Sequence, residues 1–127
     1  KMVCHFYNWD LFLYCIDTVT SKVALVKACN GVVPVMSCMG TGNKKAASFE
    51  IADIYETSVC PLARAMRRLL RQEGITSLTA VYSKEMPEGG VVEQDGRHAP
   101  GSLSYVPAAA AAKMAEAAIA LLQNGRV

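Results

Sequence analysis

The chain carries almost no net charge: thirteen basic residues against eleven acidic leave +2 over 127 residues. That excludes nucleic-acid binding driven by overall charge, so any basic footprint has to be local. No cysteine pair stands at C-x-x-C spacing. The five cysteines (Cys4, Cys15, Cys29, Cys38, Cys60) are odd in number and mostly lie in apolar runs, where cysteine behaves as a small hydrophobe, so a reducing, cytoplasmic setting is expected. His5 and His98 stand far apart, without the ligand spacing a zinc site needs, and no metal ligand set is expected around them. Neither G-x-x-x-x-G-K-[ST] nor G-x-G-x-x-G occurs anywhere, so the usual glycine-rich phosphate loops are absent from these residues. The one long apolar stretch, residues 106–122, is broken by Lys113 and Glu116, and no basic segment with a cleavage site opens the chain. No membrane span or signal peptide is expected.

What is present is core material: 52% hydrophobic and 19% charged residues, enough for one packed domain over residues 1–127 without a disulfide or structural metal. Residues 11–16 (LFLYCI) read as a strand buried on both faces, ending at Asp17, which can cap a helix striped by Val19, Val23, Leu25 and Val26 and stopped by Asn30-Gly31. Residues 32–39 (VVPVMSCM) form the next buried strand, completing a βαβ unit. Residues 48–54 alternate as a half-exposed strand does, which predicts a mixed sheet. Pro61 opens a helix that runs to Gln72 before Gly74, and residues 78–83 form another strand. Residues 84–101, with four glycines and two prolines, read as a flexible crossover loop. A short strand over 102–106 and an alanine-rich helix from Pro107 to Asn124-Gly125 complete the pattern. The fold class is α/β, a mixed sheet flanked by helices.

Three constellations could carry chemistry. Asp17 lies where a buried strand meets a helix, the end of an open α/β sheet at which ligands bind, and a carboxylate there can hold a metal ion on nucleotide phosphates; it can equally be a helix cap alone. Lys22, one turn on, suits a phosphate or plain solvent. The turn G-T-G-N-K-K at 40–45 offers backbone N–H groups and ammonium groups to an anion, with an ordinary turn as the alternative. Arg64, Arg67, Arg68 and Arg71 share one helix face with no interleaved acid. Such a face suits a phosphate backbone, against the alternative of a solvated charged surface. Cys60, before Pro61 at a helix N-terminus, is either a nucleophile or a packed small side chain.

Several stretches together resemble one family: D-T-V-T-S-K (17–22), S-C-M-G-T-G-N-K (37–44), F-E-I-A-D-I (49–54), C-P-L-A-R-A-M-R-R-L-L-R (60–71), V-Y-S-K-E (81–85) and P-G-S-L-S-Y-V-P (100–107). In order and spacing they are similar to the HesA/MoeB/ThiF group of ubiquitin-activating-enzyme-like adenylyltransferases, and within it to the tRNA threonylcarbamoyladenosine dehydratase branch. The resemblance implies a Rossmann-like ThiF-type fold of which these residues are the C-terminal portion, without the glycine-rich ATP loop of the N-terminal half. It implies ATP and magnesium as cofactors, adenylylation of the threonylcarbamoyladenosine carboxylate in tRNA, and ring closure with loss of AMP. By the same likeness Asp17 lies beside the ATP phosphates and magnesium, with Lys22, Asn43 and Lys44 near the same site. Arg64, Arg67, Arg68 and Arg71 then face tRNA. A homodimer is implied, with a cysteine desulfurase or sulfur-carrier system as a further partner, and no membrane. Position 14 is Tyr where relatives commonly carry an acid. Two alternatives stand beside this reading: a dimerisation or interaction module without catalysis, suggested by the nearly all-apolar last helix, and another ThiF-type adenylyltransferase acting on a ubiquitin-like or sulfur-carrier protein.

Overall fold

The computed structural model describes residues 10–16, 18–86, 91–94, 97–100 and 103–124. Strand β1 (Phe12–Tyr14) leads through helix α1 (Val19–Cys29) into β2 (Val35–Cys38). Strand β3 (Glu50–Asp53) follows, then a 3-10 turn (Ile54–Glu56), helix α2 (Pro61–Gln72) and β4 (Thr79–Tyr82). A hairpin of β5 (Val91–Gln94) and β6 (Arg97–Pro100) precedes helix α3 (Tyr105–Gln123). The main sheet has the order β1-β2-β4-β3. Its β1–β2 and β2–β4 pairs are parallel, and β3 runs antiparallel to β4. The mixed sheet expected from the sequence is therefore present.

Alternation along the strands divides the core into two layers. Tyr14, Ala80 and Tyr82 face α1 and α2, packing with Val26, Ala63, Met66 and Leu70. Met36, Cys38 and Val81 face the other way, against Val106, Ala110, Met114 and Ala117 of α3. The middle strand β2 is covered on both faces, which is why residues 32–39 read as continuous apolar sequence. Residues 11–16, expected to be buried on both faces, instead supply β1 at the edge of the described sheet, where Leu13 and Ile16 stay exposed. Each strand is nonetheless shorter than its apolar run: hydrophobicity reports burial, while the ladder ends where partners end.

Helix α2 spans the residues that its pattern predicts. Pro61 supplies a preset φ at the first position. The helix closes with Ile75 N–H donating to the Leu70 carbonyl at 3.0 Å and Gly74 N–H to that of Arg71 at 3.2 Å, a Schellman pattern that needs the left-handed φ of +73° at Gly74. Helix α1 begins after Thr18; Asp17, the expected cap, lies outside the described residues.

Two expectations near the C-terminal end differ from the structure. The span read as one crossover loop, 84–101, contains the β5–β6 hairpin, paired Val91 to Pro100 and Gln94 to Arg97. No strand occupies 103–106. Helix α3 starts at Tyr105 instead, with Pro107 inside its first turn, where a missing N–H leaves no helical hydrogen bond unmade. Helix α3 is long and apolar enough to cross a membrane by length and composition alone, but here it packs one side on the sheet through Val106, Ala110, Met114, Ala117 and Ala118. Its outer side exposes Ile119 and Leu122.

A buried polar knot joins α1 to the sheet. The Lys22 ammonium donates to the Cys38 carbonyl at 2.7 Å and the Ser37 hydroxyl at 3.2 Å and sits 4.8 Å from the centre of the Tyr14 ring. The Tyr14 hydroxyl donates to the Lys22 carbonyl at 3.3 Å. Burial pushes the Tyr14 phenol up to about 12, against the opposing hydrogen bond of Ser37. Because the folded-state value is raised, the associated stability is complete below the unfolded phenol's ~10 and is lost as pH climbs toward ~12. The loss amounts to about 2–3 kcal/mol at ~1.4 kcal/mol per unit. Alkaline unfolding followed by circular dichroism should show this loss between those limits, and Tyr14→Phe should remove that component of the pH dependence.

Candidate functional site

In open α/β sheets, ligands bind outside the carboxyl ends of the strands. Here those ends bring together Lys22, the 40–46 loop leaving β2, and Ser83 to Glu85 leaving β4. Of the predicted site residues, Asp17 lies outside the described ones; Lys22 reaches the end of β2, and Asn43 and Lys44 lie in the loop that leaves it.

Both lysines are committed internally rather than presented outward. Lys22 is 1% exposed and Lys44 3%. Lys44 donates its ammonium to the Gly40 carbonyl at 2.8 Å, as Lys22 does to that of Cys38, so two ammonium groups brace nearby carbonyls where β2 ends. Asn43 turns the chain with a left-handed φ of +57°, a conformation that asparagine tolerates better than most residues. Two N–H groups of the loop are used too. Those of Lys45 and Ala46 donate to the two oxygens of Glu85, at 2.8 and 2.9 Å. The anion found at this turn is the chain's own carboxylate, held by the last residue of the 40–45 turn and the one after it. Sequence reasoning missed Glu85; it stands inside the V-Y-S-K-E stretch, but nothing local says where its side chain reaches.

The arginine face forms as its spacing requires. Arg64, Arg67, Arg68 and Arg71 line one open groove of about 560 Å³ together with Val59, Pro61 and Ala65. The four differ in employment. Arg67 donates to the Thr57 carbonyl at 3.1 Å and to its hydroxyl, closing the turn after β3. The Arg71 guanidinium lies 5.1 Å from the centre of the Tyr55 ring, in cation–π range. Arg64 and Arg68 are exposed, and among the described residues neither has an acidic partner. Val59, on the groove's rim, has a φ of +69°. The Cys60 N–H donates to the Ser58 carbonyl at 2.7 Å across it, a γ-turn form that is strained for a β-branched residue. Strain of this kind collects where a surface must hold a set shape.

Cys60 is 1% exposed within the core, which supports the packed reading over the nucleophilic one. Among the described residues no group of His, Cys, Asp and Glu is placed to hold a metal ion.

No family model matches the chain. Curated proteins do. It is 35% identical over 99 residues to tRNA threonylcarbamoyladenosine dehydratase of Bacillus subtilis, a match covering 76% of this chain and 38% of that protein. It is 37% identical over 82 residues to tRNA threonylcarbamoyladenosine dehydratase 2 of Saccharomyces cerevisiae, covering 62% and 18%. Among solved structures, the Escherichia coli tRNA N6-threonylcarbamoyladenosine dehydratase TcdA in complex with AMP superposes with a TM-score of 0.64 at 23% identity, over 87% of this chain and 51% of that one. Another crystal structure of the E. coli protein gives 0.56 at 24%, over 85% and 50%. The chain thus spans well under half of the curated relatives it matches and about half of the solved ones.

Sheet order, flanking helices and superposition define a Rossmann-like α/β fold of the ThiF type. Within that class the chain is TcdA-like, similar in sequence to the tRNA threonylcarbamoyladenosine dehydratases.

Proposed function

We propose that the chain is part of an ATP-dependent tRNA-modifying enzyme that adenylylates threonylcarbamoyladenosine in tRNA and closes its ring with loss of AMP. The observation that carries the reading is the 35% identity over 99 residues to the B. subtilis dehydratase. The fold supports it, through a superposition on a TcdA crystallised with AMP. Asp17, Lys22, Asn43 and Lys44 are the residues assigned to the nucleotide side, Asp17 toward magnesium, and Arg64, Arg67, Arg68 and Arg71 to tRNA.

A triphosphate needs a preorganised set of donors, and the described residues do not make one. Lys22 and Lys44 hold carbonyls, and the N–H groups of Lys45 and Ala46 hold Glu85. These residues fit one wall of a nucleotide site rather than its phosphate cradle, so no catalytic step is assigned to them. Calorimetry with Mg-ATP on the 127-residue chain should accordingly register no binding. A polypeptide that also carries a glycine-rich nucleotide loop should release AMP in the presence of tRNA bearing the modified base, and Asp17→Ala should abolish that release. Unchanged AMP release in the Asp17 variant would overturn the assignment.

The outer side of α3 favours a second reading, a self-association module in a homodimer. Ile119 and Leu122 there are 57% and 46% exposed, and an apolar helix face gains stability when covered. The two readings part on nucleotide: a module alone predicts no AMP release from any longer polypeptide.

A further inference from the structure

The 40–46 loop is held by side chains that arrive from three directions. Glu85, just past β4, spreads its carboxylate over two successive N–H groups of the loop, Lys45 at 2.8 Å and Ala46 at 2.9 Å. Its own N–H donates to the Ser83 hydroxyl at 3.1 Å, and Ser83 is 1% exposed, so the grip starts from a fixed point in the core. From α3, the Tyr105 hydroxyl donates to the Lys45 carbonyl. One stretch of loop is thereby held from both sides. Within the loop, Lys44 closes onto Gly40 at 2.8 Å.

We infer that Glu85 is the positioning residue of this loop, fixing where Asn43 and Lys44 stand at the carboxyl ends of the parallel strands. On the enzymatic reading above, it thereby sets the wall that a nucleotide meets. The chemistry is specific to a carboxylate. Two parallel N–H groups match its two equivalent oxygens, and charge-assisted bonds of this kind are about twice as strong as neutral ones. A glutamine offers one oxygen and turns an N–H₂ group toward one of the donors. Among the described residues, the charged and titratable groups around Glu85 are Lys44 and Lys45 of the loop, Tyr105 of α3, and the neighbouring Lys84, which pairs with Glu50 of β3 at 3.1 Å. The loop N–H groups, aided by the two lysines, hold the Glu85 carboxyl below its ordinary range. The carboxylate is therefore ionised at neutral pH, and its grip is lost only as pH falls through that lowered value.

The test is amide exchange and proton chemical shift by NMR on the whole 127-residue chain, in wild type, Glu85→Gln and Glu85→Ala. At pH 6 the exchange of the Lys45 and Ala46 amides should accelerate at least ~10-fold in Glu85→Ala, the factor that ~1.4 kcal/mol of lost protection produces. The Met36 and Val81 amides, inside the sheet, should keep their protection and so show that the variant is folded. As pH falls from 6 through the lowered carboxyl value, both loop amide shifts should move with one titration in the wild type and show no such step in Glu85→Gln, which a merely space-filling side chain would not predict. Equal protection in wild type and Glu85→Ala, or a step that persists in Glu85→Gln, overturns the inference. Released loop amides together with no AMP formation by a longer polypeptide would uphold the positioning role and sink the enzymatic reading alone.

Discussion

Lys22→Ala should destabilise the fold by about 4 kcal/mol, since it removes two buried hydrogen bonds from a charged donor, at about 1.5–3 kcal/mol each, and opens a cavity worth about 1–2 kcal/mol. Lys22 is 1% exposed, so removal of its charge also relieves a desolvation penalty, which offsets part of the loss. Lys22→Met separates the contributions. It keeps the stem against the Tyr14 ring and removes only the donor, so the expected cost falls to about 2 kcal/mol. Urea unfolding checks both: a midpoint shift in the order Ala beyond Met, with little change in slope, is the expected result. A Met variant as stable as wild type would mean that the bonds to Ser37 and Cys38 contribute no net stability.

The double variant Arg64→Glu, Arg68→Glu should weaken binding to tRNA by about 10- to 100-fold at moderate salt, through two lost phosphate contacts and two introduced repulsions. The dependence of log affinity on log salt should flatten by about 1.4–1.8, since each of the two phosphate contacts contributes about 0.7–0.9 to that slope. These two arginines are the right pair because they are exposed and, among the described residues, without acidic partners. Arg67 is tied to Thr57 and Arg71 lies over Tyr55, so replacing either would disturb the fold as well as the surface. Filter binding over a salt series checks the prediction. Unchanged affinity and slope would return the groove to an ordinary solvated face.

Most of the sheet was legible because it rests on signals that act over a few residues. The Pro61 start and Gly74 stop of α2 are local backbone constraints, and they place that helix to the residue. Apolar runs located β1, β2 and β4 while overstating their length and, for β1 at the sheet edge with Leu13 exposed, its burial. The arginine spacing puts four guanidinium groups beside one groove because helical periodicity is itself local. The start of α3 was misplaced for a related reason: Pro107 marks a first turn, but a first turn includes positions on both sides of a proline. The β5–β6 hairpin was missed because glycine and proline density reads as loop whether or not the segments between them pair.

By itself the sequence determined the fold class, the order and type of the main elements, the likeness to the dehydratases, and which residue types gather near the strand ends. All of these follow from periodicity, chain stiffness and likeness along the polymer. Only the tertiary structure decided what those residues are doing. Lys22 is a buried brace at 2.7 Å from the Cys38 carbonyl, and the N–H groups of Lys45 and Ala46 are already engaged by Glu85, which lies some forty residues further along the chain. Partnership of that kind depends on distances between segments that the chain order does not encode, because an ammonium or a carboxylate takes whichever donor or acceptor packing brings within hydrogen-bond reach.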